Sequence, residues 1–490
     1  MSLAAWIARH AAFAPGKPAI RFEGGDWSYA EFQRRILRVS GTLQRLGVRR
    51  ADAVAYLGLN RPELLALLFA CARLGAMLAP LNWRLAPPEH ARMLAACPPK
   101  LLFCEKGFAA HVQEVGYRGR TLGIDDPPWE KDADTPDQSE ENSPVLLCYT
   151  SGSTGAPKGV VLTQRAIFWN AVNSAHLHDL TSADRVLTTL PMFHVGGMNI
   201  QTTPALHAGA TVVLHAKFDP QAAFDAIERE RITLAVLVPA QLAAMMEHPR
   251  WAIADLSSLR MITTGSTIVT ESFVRRVSAR GVPLVQVYGS TETCPIAAYV
   301  RAEVADRKAG CAGAPALHCD VKVVDDGGRE LPPGADGEVL VRGPNVTAGY
   351  WNDPVESAQA LRDGWYHSGD VGHFDAEGYL TVVARKKDMI ISGGENIYPA
   401  ELETILAECP AIEEACVVGR EDARWGEAVV AAVVLRPGAR MSEAEVMALF
   451  HGRLARYKHP REVRFLERLP RSALGKIRKE DVRSAVAHAA

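Results

Sequence analysis

Eleven consecutive residues concentrate the chemistry of phosphate binding. Tyr149-Thr150-Ser151-Gly152-Ser153-Thr154-Gly155-Ala156-Pro157-Lys158-Gly159 holds three glycines, four hydroxyl residues and one lysine, directly after the apolar run Val145 to Cys148. A polyphosphate needs closely approaching backbone N–H groups, hydroxyl donors and a cation. Glycines permit the approach, successive N–H groups form an anion-binding nest, and Lys158 brings the charge. Pro157 stands where the ordinary nucleotide-triphosphate loop requires glycine before its lysine, so that loop type is excluded.

Other segments carry chemistry that alone would be weak. Tyr288-Gly289-Ser290-Thr291-Glu292-Thr293 follows the strand-like Leu284 to Val287 and offers an aromatic face, hydroxyls and a carboxylate. Strand C-termini are where α/β sheets bind ligands, and Mg²⁺ prefers carboxylate oxygen. Tyr366-His367-Ser368-Gly369-Asp370 presents a carboxylate suited to ribose hydroxyls, although an Asp after Gly is more often a turn residue. Arg385-Lys386-Lys387-Asp388 reads as a solvated charge run, and Ser392-Gly393-Gly394-Glu395 as a turn. Pro191 to Gly197 contains one histidine, His194, and Pro470 to Lys476 ends in one lysine.

The elements around these residues alternate. Phe32, Ile36, Val39, Leu43 and Leu46 recur at helical spacing behind a Ser28/Glu31 capping box. Ala53 to Leu59 and Ala76 to Leu81 read as strands flanking a helix that starts at Pro62, a βαβ pattern that implies a parallel sheet. Residues 125–144 are acidic, proline-rich and aperiodic, a surface linker. Short apolar strands at Val186 to Leu190, Thr211 to Leu214, Ile232 to Val238, Leu259 to Thr263 and Leu284 to Val287 continue the alternation. Past residue 320, Val321 to Val324 and Glu338 to Arg342 around a turn-rich link predict antiparallel β structure. The last hundred residues predict a helix from Pro399 to Ala407, strands at Ala415 to Gly419 and Ala428 to Leu435, and a helix behind a Ser442/Glu445 capping box.

The 490 residues exceed one ordinary core. A net charge of -2 provides no basic field for nucleic acid. Nine cysteines without a C-x-x-C pair favour reduced thiols in a cytoplasmic protein over a disulfide scaffold or a zinc ribbon. The apolar stretch Leu64 to Ala72 falls short of the roughly 20 residues a membrane span needs and reads as a buried helix.

Taken in order, these motifs resemble those of the AMP-forming acyl-CoA synthetases, the adenylate-forming superfamily that includes luciferase and the adenylation domains of nonribosomal peptide synthetases. The resemblance covers nearly the whole chain. It implies a large N-terminal domain of mixed α/β layers, residues 1–386, with a β-rich part at about 320–386, and a small mobile α+β domain, 387–490. It further implies ATP, Mg²⁺ and coenzyme A as cofactors. Thr150, Ser151, Gly152, Ser153, Thr154, Gly155 and Lys158 would cradle phosphate. Tyr288 would stack on adenine, with Gly265, Gln286 and Gly289 beside it. Thr291 would contact the α-phosphate, Glu292 and Thr150 the metal, and Asp370 and Arg385 the ribose. Lys387 matches the hinge, Gly393, Gly394 and Trp425 the coenzyme A side, and Lys476 the catalytic lysine of acyl adenylation. His194 would gate the acyl pocket, although a packed core histidine is the blander reading.

The expected substrate is a small-molecule carboxylic acid. Met192 to Ile200, Ile262 to Val269 and Thr293 to Ala298 contain no Arg or Lys. A second buried carboxylate would need a partner, so these segments favour a fatty or aromatic acid over a dicarboxylate. Loading of a carrier protein instead of coenzyme A, or nucleotide binding without catalysis, are the alternatives. The oligomeric state, homodimer included, stays open.

Overall fold

The computed structural model describes residues 2–125, 136–151, 157–266, 269, 271–385, 389–470, 477 and 479–487. Gly152 to Gly155, Lys387 and Lys476 lie outside the described residues, as do parts of the linker.

Two sheets with parallel cores dominate residues up to 315. The first has seven strands among the described residues. Its parallel part runs Pro144–Ser151, Met77–Leu81, Ala53–Leu57, Leu101–Cys104, Thr121–Gly123, and the strand Pro157–Thr163 pairs antiparallel with Pro144–Ser151. The second has nine, with Leu284–Tyr288, Met261–Gly265, Leu234–Val236, Arg185–Thr188, Thr211–Leu214 and Pro18–Phe22 side by side and parallel. The βαβ expectation holds at Ala53–Leu57 and Met77–Leu81. The helix between them, Pro62–Leu74, is buried along nearly its whole length. Pro62 opens it and Gly75, in the left-handed conformation at φ 66°, closes it. No helix among the described residues is long and apolar enough to cross a membrane.

A third, antiparallel sheet joins Asp320–Val324, Gly337–Arg342, Trp365–Phe374, Leu361–Arg362 and Leu380–Arg385. A fourth joins Glu395–Ile397, Ile390–Ser392, Gly426–Leu435, Ile412–Asp422 and Glu462–Phe465, and buries its own core with the helices Pro399–Ala407 and Glu443–Ala448. The Ser442/Glu445 capping box forms as expected. The Ser28/Glu31 box forms only by half. Ser28 accepts from the Glu31 N–H at 3.2 Å. The Glu31 carboxylate turns to Arg34 and Arg35 one turn along the helix instead, because i,i+3 and i,i+4 cations lie on its own face.

Candidate active site

One cavity of about 2140 Å³ gathers the motif residues. It opens at the C-terminal ends of the parallel strands and is closed from the other side by residues from 389–458 and 479–487. Thr150, Lys158, His194, Gly265, Gln286, Tyr288, Gly289, Thr291, Glu292, Asp370, Gly393, Gly394 and Trp425 all line it.

The described ends of the segment Tyr149 to Gly159 are strand where its composition suggests a loop. The strand continues through Ser151 and the return strand begins at Pro157, with Thr150 opposite Lys158 and Ser151 opposite Pro157. Threonine is at home in strands, and a partner strand was present to pair with it. Gly159 allows close packing here, since a Cβ would sit 2.9 Å from the Leu147 side chain. Lys158 Nζ lies 2.5 Å from the Glu356 carboxylate and 5.6 Å from the centre of the Tyr350 ring. The Tyr350 hydroxyl donates to Glu292 Oε1 at 2.9 Å. Glu356 and Tyr350 carried no sequence signal.

On the facing wall, Tyr288 Oη donates to Asp370 Oδ2 at 2.8 Å, and Asp370 is buried. The hairpin register places Asp370 directly across from Arg385, whose backbone is described. Gln286 donates to the Cys311 carbonyl at 2.7 Å, which fixes its amide at the cavity wall. Gly265 and Gly289 are close-approach positions: a Cβ would lie 2.5 Å from the Val287 carbonyl oxygen and 1.8 Å from that of Pro295.

The third group comes from both sides of the cavity. Gly393 and Gly394 turn with φ of 61° and 83°, a conformation that favours glycine. The Gly393 N–H donates to the Trp425 carbonyl at 2.7 Å, and a Cβ on Gly394 would rest 3.6 Å from Val238. Trp425 is half-buried, with the Arg461 guanidinium 3.8 Å from its ring centre, so it is a wall of the cavity and not core. His194 Nε2 lies 3.1 Å from Glu395 Oε2, and Arg84 pairs with Glu395 Oε1. Burial pushes the Glu395 carboxyl up, but His194 and Arg84 outweigh it and hold it at about 2. Glu395 is therefore anionic near neutral pH. It is the next residue after the glycine turn, and its role went unread because both partners lie hundreds of residues away.

The AMP-binding enzyme family matches residues 7–351, and the AMP-binding enzyme C-terminal domain matches 401–476. The chain belongs to the AMP-binding enzymes. Within that superfamily it is 58% identical to indoleacetate–CoA ligase of Aromatoleum aromaticum over 99% of this chain and 98% of that protein. It is 44% identical to feruloyl-CoA synthase of an Amycolatopsis species over 98% of each. An o-succinylbenzoate CoA synthetase from Bacillus subtilis, 33% identical, is similar in two complexes. A double mutant bound to its product analogue OSB-NCoA superposes with a TM-score of 0.90 over 98% of each chain. The complex with the acyl-adenylate OSB-AMP superposes with 0.74 over 99% of this chain and 98% of that one. This AMP-binding enzyme is an AMP-forming acid–thiol ligase that uses ATP and coenzyme A.

Proposed function

We propose that this ligase activates an aromatic carboxylic acid, with an arylacetic acid as the best candidate, in the cytoplasm where ATP and coenzyme A are supplied. The identity with an indoleacetate–CoA ligase over almost the full chain carries the reading. The acyl wall supports it, since Phe193, Val195, Ile200 and Val269 are apolar and line the cavity. Flat apolar walls suit a ring, and specificity then rests on few polar groups.

In the first step the acid's carboxylate oxygen attacks the α-phosphorus of ATP, the bond to pyrophosphate breaks, and acyl-AMP forms. Lys158, Thr150 and Thr291 would hold the phosphates, Tyr288 the adenine, and Asp370 with Arg385 the ribose. Lys476 would bring carboxylate and α-phosphate together by screening their like charges. Glu292 is a buried carboxylate on the cavity wall that accepts from the Tyr350 hydroxyl, which fits Mg²⁺, an ion usually held by one or two carboxylates and substrate phosphates. When bound, the ion would neutralise charge developing on the phosphates.

In the second step the thiolate of coenzyme A attacks the acyl carbon and AMP leaves. Gly393, Gly394 and Trp425 would flank the pantetheine arm, and His194, held by Glu395, would leave its gating position. The domain from Lys387 onward would turn between steps, with 1–386 as the fixed body. The orientation seen, with the glycine turn facing the acyl wall, is the transferring one on this reading. The higher similarity to a product-analogue complex than to an adenylate complex of the same enzyme supports that.

Acid-dependent pyrophosphate–ATP exchange tests the substrate. Indole-3-acetate and hydroxycinnamates should drive exchange faster than decanoate or malonate. Fastest exchange with a fatty acid would sink the aromatic assignment.

A further inference from the structure

Three buried charges meet where the two parts of the chain touch. Glu89 sits in the first turn of the helix Pro87–Ala96, on the body. Lys458 ends the short 3₁₀ turn Arg456–Lys458, and Glu401 lies on the helix Pro399–Ala407, both in the C-terminal part. Lys458 Nζ is 2.8 Å from Glu89 Oε1 and 3.0 Å from Glu401 Oε2. The three side chains are only 5%, 4% and 6% exposed respectively. Glu89 Oε2 accepts the N–H of Ala86 at 2.9 Å, which caps its own helix, and the N–H of Ala455 at 2.7 Å across the junction. Asn82 Nδ2 donates to the Tyr457 hydroxyl at 3.1 Å in the same seam.

Burying charge is costly unless it is paired and hydrogen-bonded. The pairing here is divided unequally. Lys458 and Glu401 belong to the same part and travel together if it turns. Glu89 reaches them only in the present arrangement, where it receives one ammonium and one backbone donor. Hydrogen bonds to ionised groups are the strong ones, and this pair is shielded from solvent.

We infer that Glu89 and Lys458 form an orientation latch: Glu89 grips the 455–458 turn and holds the C-terminal part in the arrangement that transfers the acyl group to coenzyme A. Both lie at the rim of the same cavity, and the role assigned to them is positioning. The inference rests on reading the present orientation as the transferring one.

Glu89→Gln is the test. Its amide oxygen can still cap Ala86 or accept Ala455, so the fold is retained while the ionic grip is lost. Lys458→Met removes the grip from the other side. Two half-reactions are measured on the full chain: acid-dependent pyrophosphate–ATP exchange, and transfer from the acyl-AMP of the fastest-exchanging acid to coenzyme A. Transfer should fall at least about tenfold in either variant while exchange stays within about twofold, and exchange itself reports that the protein is folded. The double variant should be no worse than the poorer single one. Unchanged transfer overturns the latch, and so does equal loss of both half-reactions. Selective loss of exchange with transfer kept would also overturn it, and would place the fault in the orientation reading instead of in the contact.

Discussion

Glu356 should compete with ATP for the phosphate lysine. Its carboxylate lies 2.5 Å from Lys158 Nζ, with the two side chains 28% and 13% exposed. If Lys158 holds phosphate as proposed, it has to leave this partner first. Removing the partner therefore favours ATP, which is opposite in sign to what general damage does. Solvent-accessible ion pairs are worth about 0.2–1 kcal/mol. Glu356→Gln should then lower the Kd for ATP by a factor of about 1.4 to 5, given roughly 1.4 kcal/mol per tenfold. Titration calorimetry with ATP and Mg²⁺, the acid withheld, gives the number directly. Lys158→Met in the same assay should weaken binding. Weaker or unchanged ATP binding in Glu356→Gln would refute the competition and make the pair a purely structural contact.

Two further substitutions separate the half-reactions. Lys476→Ala should abolish acid-dependent pyrophosphate exchange yet pass a supplied acyl-AMP to coenzyme A; equal loss of both would refute the assignment of Lys476 to adenylation alone. Glu395→Gln removes a charge that meets His194 and Arg84 across the cavity. A hydrogen bond to a charged group contributes about 1.5–3 kcal/mol, so transfer should drop by roughly one to two powers of ten with exchange preserved, measured by quenched-flow transfer and by exchange.

Much of the cavity wall was legible because its residues sit on short-range patterns. Asp370 and Arg385 are named together only through the resemblance, and the observed hairpin register sets these two residues opposite each other. Tyr288 and Glu292 follow a strand whose apolar run is plain, and that run ends at the cavity. The seams between the two parts were not legible. Glu89 looks like a helix-opening acid, and it does cap Ala86, but its second task depends on Ala455, 366 residues away. Lys458 and Arg84 carry no periodicity that distinguishes them from solvated cations. The phosphate segment shows the converse error: glycine and hydroxyl residues predict a loop, yet Thr150 and Ser151 are drawn into the sheet by the returning strand from Pro157. Composition reports local preference, whereas pairing supplies the hydrogen bonds that override it.

The most direct test of the account is product stoichiometry with indole-3-acetate, ATP, Mg²⁺ and coenzyme A, followed by chromatography of nucleotides and thioesters. The account predicts one AMP, one pyrophosphate and one acyl-CoA for each ATP consumed, with no acyl-AMP accumulating while coenzyme A is present. ADP and phosphate as products, or AMP formed without a thioester, would contradict it.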